Sequence, residues 1–282
     1  MKNSETIEFA NAKVNLALHV LGRRRDGYHL LDSLVVFPSI ADKLEIRESK
    51  RFSLTVVGEF SKLIDLENNS IIKAIMLIKE QLPSEFSIHL EKNIPVGAGL
   101  GGGSADSAAV IRYFYKNYKI RMPANEIISQ IGADVPVCIS SKFQRVKGIG
   151  EVVSKISNPN LEVWIVLVNP RIYVSTSRIF ECLQTLNNRA LENFGTFKNS
   201  KELIKYLLRQ RNDLEAVASE NHPEINEVLI EIKKTKNNLL SRMTGSGSTC
   251  FGLYLKWEDA EHAKAYLSKN FNNWWVKHAR IF

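Results

Sequence analysis

From Lys13 to Val20 apolar and polar positions alternate, with Val14, Leu16, Leu18 and Val20 on one side and Lys13, Asn15, Ala17 and His19 on the other. A period of two is that of a strand with one face in the core, so Lys13 and Asn15 are expected to share the less buried face. Arg25-Asp26-Gly27 marks a turn, and Leu30 to Phe37, Asp42 to Arg47 and Phe52 to Val57 read as further strands. The period then changes. Ile71, Ile72, Ala74, Ile75 and Ile78 recur at helical spacing behind Ser70, a residue type suited to capping, which predicts a helix over 70–81. Phe86 to Lys92 returns to a strand, a glycine-rich stretch follows, and Ala105 to Asn117 predicts a helix.

Beyond a helix expected over 124–131, Gly132 to Pro136 and Lys147 to Glu151 carry turn residues, and Ser157-Asn158-Pro159-Asn160 has the composition of a linker. Two domains are therefore expected, 1–157 and 158–282. In the second, Glu162 to Val168 is a continuous apolar strand. Helices are expected near 175–186, 201–210 and 224–234, then a second glycine-rich turn at Arg242 to Ser248. Strand 249–255, helix 257–269 and strand 274–280 complete the chain.

Composition narrows the class without naming a function. Of 282 residues, 44% are hydrophobic and 24% charged, ordinary values for a globular protein, and no apolar run reaches the length of a membrane span. The amino terminus turns polar at once, so a cytoplasmic location is expected. Cys138, Cys182 and Cys250 are far apart, without metal-ligand spacing, and read as reduced core thiols. The net charge of +8 is compatible with nucleic acid, but Lys and Arg are scattered rather than gathered in a stripe. A phosphorylated small molecule explains the same balance.

The candidate chemistry lies in Pro95-Val96-Gly97-Ala98-Gly99-Leu100-Gly101-Gly102-Gly103-Ser104-Ala105, between a strand and a helix. Gly97, Gly99 and Gly102 satisfy the dinucleotide fingerprint, yet the acidic ribose ligand due about 20 residues further on is absent, with Arg121-Met122-Pro123 in that region. The Walker A spacing is also met, but Gly103 stands where its lysine must be. What survives is a backbone that an anion can approach closely, next to a helix start with unpaired N–H groups. Phosphate binding is its natural use.

The same loop resembles the P-x-G-x-G-L-G signature of GHMP kinases, and two further motifs of that family occur in order, Ala10 to Leu16 and Thr244 to Cys250. The resemblance covers essentially the whole chain. It implies an α+β, two-domain GHMP kinase fold, with a ribosomal-S5-domain-2-like N-terminal domain and a ferredoxin-like C-terminal domain. Lys13 to Leu16, Gly22 to His29 and Gly132 to Pro136 are similar to the branch of the family that uses ATP to phosphorylate the C2 hydroxyl of 4-diphosphocytidyl-2-C-methyl-D-erythritol. Activity on another small alcohol, or a non-catalytic member binding nucleic acid, remain the alternatives. Loss of Lys13 or Asp134 would mark the non-catalytic case, and both are present.

By resemblance, Asp134 is the base facing the acceptor hydroxyl, and Lys13 steers it and stabilises developing phosphoryl charge. Residues 95 to 105 hold ATP, with Asn69 near its base and Ser104 a phosphate contact, an Mg²⁺ contact or a helix cap. Mg²⁺ is expected with ATP, without an all-protein cage. Tyr28 and Phe180 are expected to sandwich the cytosine while His29 reads its edge, and Asn15 and Thr176 to touch substrate. The partner is thus a small molecule, with neither nucleic acid nor membrane; the oligomeric state is not legible. Two departures from the family pattern stand out. Asn11 replaces proline, expected to alter only a turn. Ser140 to Gln144 replaces a small, glycine-rich stretch beside Asp134.

Overall fold

A computed structural model describes residues 6–157 and 161–282, so the assigned linker, apart from Ser157, lies outside the described residues. The chain forms two compact units. One holds the described residues of Met1–Ala12 with Ala41–Val96 and Gly101–Ser141; the other holds Lys13–Ile40, Gly97–Leu100 and the described residues of Lys142–Phe282.

The first unit is a four-stranded sheet backed by helices. Its strands are β1 (Thr6–Asn11), β4 (Ala41–Ser49), β5 (Ser53–Val57) and β6 (Glu85–Glu91), in the order β1-β4-β6-β5, with β5 and β6 parallel and the other pairs antiparallel. Phe86, Ile88 and Leu90 of β6 are buried at alternate positions, the period that marks one face in a core. Helix α1 (Ser70–Ile78) buries Ile71, Ala74, Ile75 and Ile78, one helical stripe. It ends in a 3₁₀ turn, Lys79–Gln81, and its cap is Asn69 rather than Ser70. Helix α2 (Gly102–Tyr118) begins three residues earlier than the pattern indicates, because glycines conceal a helix start. The helix expected over 124–131 shrinks to α3 (Asn125–Ile128), and α4 (Val135–Ser140), unforeseen in a stretch of turn residues, starts with Pro136 in its first turn.

The second unit contains two sheets. In one, β2 (Val14–Arg23), β3 (His29–Val36), β7 (Gln144–Gly148) and β8 (Val152–Lys155) form an antiparallel meander. In the other, β9 (Trp164–Asn169), β10 (Leu240–Met243), β11 (Cys250–Tyr254) and β12 (Trp275–Arg280) pair antiparallel in the order β10-β11-β9-β12. Between β9 and β10 run α5 (Thr176–Glu181), α6 (Ser200–Leu207), α7 (Glu215–Asn221) and α8 (Pro223–Lys234); α9 (Trp257–Asn270) joins β11 to β12. With α8 and α9 as its helices, β9-α8-β10-β11-α9-β12 is the split βαβ arrangement of a ferredoxin-like sheet.

Strand β2 departs from the expected half-buried strand: every residue from Val14 to Val20 is buried. Leu18 and Val20 enter the core formed with Val166, Val168, Leu214 and Ile225. Its polar side is covered too. Asn15 Nδ2 donates to Ser33 Oγ at 2.7 Å, and His19 Nδ1 donates to the Arg189 carbonyl at 2.8 Å. Residues 211–213 run along the strand edge, with Leu18 N–H donating to the Arg211 carbonyl and Asp213 N–H to the Leu18 carbonyl. A register shift between Asn15 and Ala17 also breaks strict alternation. Among the described residues no helix is long and apolar enough to cross a membrane.

Candidate active site

The glycine loop is built on left-handed backbone. Gly97, Gly99 and Gly101 have φ of +64°, +73° and +62°, conformations that residues with a Cβ rarely adopt. Gly97–Leu100 belongs to the second unit and Gly101 onward to the first.

In the second unit the loop is pinned from both sides. Lys13 N–H donates to the Leu100 carbonyl at 2.8 Å, and Thr249 N–H to the Ala98 carbonyl at 3.2 Å. A Cβ on Gly99 would stand 2.5 Å from the Thr244 carbonyl oxygen, so the second glycine turn packs backbone to backbone against the first. Asn212 Nδ2 holds that second turn by donating to the Met243 and Gly245 carbonyls, each at 2.8 Å. Asn15 N–H donates to Thr244 Oγ1 at 2.8 Å. Asn15 Oδ1 is buried and has no hydrogen-bond partner among the described residues, leaving an acceptor for a ligand donor. Thr176 Oγ1 and Ser246 Oγ are 2.7 Å apart, which ties the start of α5 to the same turn. Lys13 itself precedes β2 and is 6% exposed, so it is not a solvated strand lysine.

Also in this unit, His29 stacks on Phe180, ring centroids 4.7 Å apart and planes at 25°. His29 Nε2 is buried and has no partner among the described residues. Burial, then the charge of Arg23, lowers the His29 pKa and keeps the ring neutral at pH 7. Tyr28 is 55% exposed on the turn before β3, where its carbonyl accepts from Arg24 N–H at 2.7 Å. The structure thus brings together His29 and Phe180, while Tyr28 projects into solvent.

The first unit supplies the helix end. Gly101 occupies the cap position of α2 and offers no side chain, so the dipole and the unpaired N–H groups of the first turn are unmasked. Ser104 is the third residue of the helix and therefore not its cap. Ser70 Oγ donates to the Gly103 carbonyl at 2.8 Å, which brings the start of α1, with Asn69, to this turn. Asn69 Oδ1 accepts from Ile71 N–H at 2.8 Å, which fixes the side chain and leaves its amide NH₂ to meet a base. Asp134 stands at the start of α4 but makes no helix-capping hydrogen bond through its side chain. A Cβ on Gly132 would lie 3.4 Å from Ser104 Oγ, so the turn carrying Asp134 abuts the first turn of α2.

Neither departure from the family pattern leaves a loose loop. Asn11 closes β1, paired with Ala41, and is not in a turn. Ser141 ends α4 in left-handed geometry, and Arg112 Nη1 donates to the Cys138 carbonyl at 3.1 Å and to Ser141 Oγ at 3.3 Å. Sequence reasoning missed Asn169, Asn212 and Lys92. Asn169 Nδ2 donates to Ser248 Oγ at 3.0 Å and Thr249 Oγ1 at 2.9 Å. Nothing in their local sequence marks them, because the groups that their side-chain nitrogens donate to lie at least 14 residues away.

Two family models match the chain, the GHMP kinases N terminal domain over residues 69–142 and the GHMP kinases C terminal domain over 189–273. A relative from Cereibacter sphaeroides (strain ATCC 17029 / ATH 2.4.9), a 4-diphosphocytidyl-2-C-methyl-D-erythritol kinase, is 37% identical over 98% of this chain and 99% of its own. One of the same name from Paramagnetospirillum magneticum is 40% identical over 96% and 97%. The crystal structure of a 4-(cytidine 5'-diphospho)-2C-methyl-D-erythritol kinase superposes with a TM-score of 0.80 at 30% identity, covering 97% of this chain and 98% of that one. The homoserine kinase of Cytophaga hutchinsonii shares the fold, with a TM-score of 0.66 at 17% identity, over 100% of this chain and 96% of that one. A left-handed glycine loop opening onto a helix start, in a chain matched along nearly its whole length by such kinases, places this protein in the GHMP kinase family.

Proposed function

We propose that this chain transfers the γ-phosphoryl group of ATP to the C2 hydroxyl of 4-diphosphocytidyl-2-C-methyl-D-erythritol, giving the 2-phosphate and ADP in non-mevalonate isoprenoid precursor synthesis in the cytoplasm. The observation that carries the reading is the Gly97–Ser104 loop, whose left-handed glycines open onto the uncapped start of α2 beside the turn that bears Asp134. Relatives of that name, at 37% and 40% identity over nearly full length, support the choice of substrate.

Phosphoryl transfer needs an acceptor hydroxyl in line, a group to take its proton and positive charge around the moving oxygens. ATP fits the loop, where backbone N–H groups and the α2 dipole face an anion. Mg²⁺ bound with ATP would supply positive charge to the phosphates, and Ser104, in the first turn of α2, would be the side chain to hold it. Asp134 takes the proton of the C2 hydroxyl, contributing roughly 10²–10⁴-fold. Lys13 orients that carboxylate and offsets charge on the phosphoryl group. Asn15 Oδ1 accepts from a substrate donor, and Thr176 contacts the same molecule. The neutral His29 reads the cytosine edge, with Phe180 and Tyr28 as its stacking surfaces. Because His29 occupies the face of Phe180, the sandwich requires His29 to turn aside or the base to stack outside it.

The test is ADP release from Mg-ATP with 4-diphosphocytidyl-2-C-methyl-D-erythritol beside homoserine, mevalonate and cytidine-free methylerythritol phosphate. Turnover with the cytidylated alcohol alone is expected. Turnover with another alcohol instead would overturn the substrate, and none with any acceptor would overturn the kinase.

A further inference from the structure

Where β6 runs toward the glycine loop, three charged side chains leave solvent together. Lys92 is 1% exposed, Asp42 0% and Asp106 2%. Lys92 Nζ donates to Asp42 Oδ2 at 2.5 Å and to Asp106 Oδ2 at 2.7 Å. The other oxygen of Asp42 accepts the backbone N–H groups of Asn93 at 2.6 Å and Ile94 at 2.8 Å. Residues 92–94 lead into the loop, and Asp106 lies on α2 just after it, so both ends of the loop are fastened to one ion cluster. A Cβ on Gly102 would come within 3.0 Å of Lys92 Nζ and 3.7 Å of Asp42 Oδ2, which puts the cluster directly beneath the first residue of α2.

Stability alone is a poor reason for this arrangement, because apolar residues of similar volume are generally as stabilising as a buried ion pair. Fixing geometry is a better one. Burial works against the charge on Lys92, and the two carboxylates more than offset it. Burial also pushes the Asp106 carboxyl up to about 7, against the pull of Lys92. Asp106 Oδ1 has no partner among the described residues, which leaves room for a proton there.

We propose that Lys92, Asp42 and Asp106 are positioning residues that hold the two ends of the glycine loop at the spacing that receives the phosphates of ATP. This rests on the kinase reading above. The cluster is buried, so it acts through the backbone of Asn93, Ile94 and α2.

The experiment first measures binding of a non-hydrolysable ATP analogue to the wild-type protein by calorimetry, then the kinetics of Asp106→Ala and Asp106→Asn. Asp106→Ala is expected to raise KM for ATP roughly tenfold and leave the acceptor KM within about twofold, the loss of one charged hydrogen bond. Asp106→Asn keeps an acceptor for Lys92 and should recover most of that loss. An unchanged KM for ATP in Asp106→Ala, or equal rises for ATP and acceptor, would overturn the proposal and leave the kinase reading intact. Should Asp106→Ala fail to fold, hydrogen exchange on the wild type decides. The analogue should slow exchange at the Asn93 and Ile94 amides, and unchanged exchange there overturns the proposal. A wild-type protein that binds no analogue overturns the kinase reading itself and this inference with it.

Discussion

Replacing Gly99 with alanine tests the loop at its tightest point. The new Cβ would lie 2.5 Å from the Thr244 carbonyl oxygen, 2.8 Å from that of Gly247 and 3.0 Å from the Gly247 nitrogen, all backbone atoms that cannot swing away. The two turns would have to part by about 1 Å to reach ordinary contact distances. At φ of +73° the residue also pays the left-handed penalty, about 1–2 kcal/mol. Forcing packed segments apart adds about 1–3 kcal/mol, for a total near 2–5 kcal/mol. That corresponds to a fall in Tm of roughly 5–15 °C for a chain of this size. Because Ala98 and Leu100 carry the hydrogen bonds to Thr249 and Lys13, the displaced loop should also raise KM for ATP roughly tenfold or more. The control is Gly195→Ala, where a Cβ meets nothing within 4 Å. Thermal unfolding and steady-state kinetics on both variants read the difference. A Gly99→Ala protein that melts and binds ATP like Gly195→Ala would refute the reasoning.

Asp134→Asn should fold with wild-type Tm and lose kcat by roughly 10²–10⁴-fold with little change in either KM; near-normal turnover would remove it as the base. Phe180→Ala removes a stacking surface worth about 1–3 kcal/mol to a base, so KM for the cytidylated alcohol should rise roughly tenfold and that for ATP stay put. Equal rises in both would make Phe180 a packing residue only. His19 accepts from Arg211 N–H at 3.3 Å while donating to the Arg189 carbonyl, which demands a neutral ring, and burial lowers its pKa from 6.5. The unfolded chain therefore takes up a proton that the folded one resists. Its contribution is complete above pH 6.5 and declines as pH falls from there through the lowered folded value. Urea unfolding at pH 5 and pH 7 should show a smaller pH effect in His19→Gln than in the wild type, and an identical effect would count against this role for His19.

Local pattern and motif were enough for eight of the twelve strands among the described residues, most of the helices and the glycine loop, but marked none of β1, β7, β8 and β10. The period of a strand and the φ preference of glycine are properties of a few neighbouring residues, and they are printed in the chain. Asp134 and Lys13 came from family motifs, since no local rule separates a catalytic aspartate from a capping one; the missing cap hydrogen bond of Asp134 appears only in three dimensions. The same holds for β2. Its alternation indicates one buried face, and residues 189 and 211–213, far along the chain, help to bury the second.

Lys92 shows the limit most clearly. In sequence it is only a polar residue at a strand end, whereas in the fold Asp42 and Asp106, 50 and 14 residues away, take it into the core. The second compact unit likewise takes Lys13–Ile40 and Gly97–Leu100 from the first half of the chain together with the described residues of Lys142–Phe282. Sequence alone determined which way most segments bend, extend or coil, because those choices depend largely on nearby sterics and hydrophobic spacing. Only the tertiary structure decided which polar groups could be buried, because a buried charge or amide is tolerated only where distant residues supply its partner.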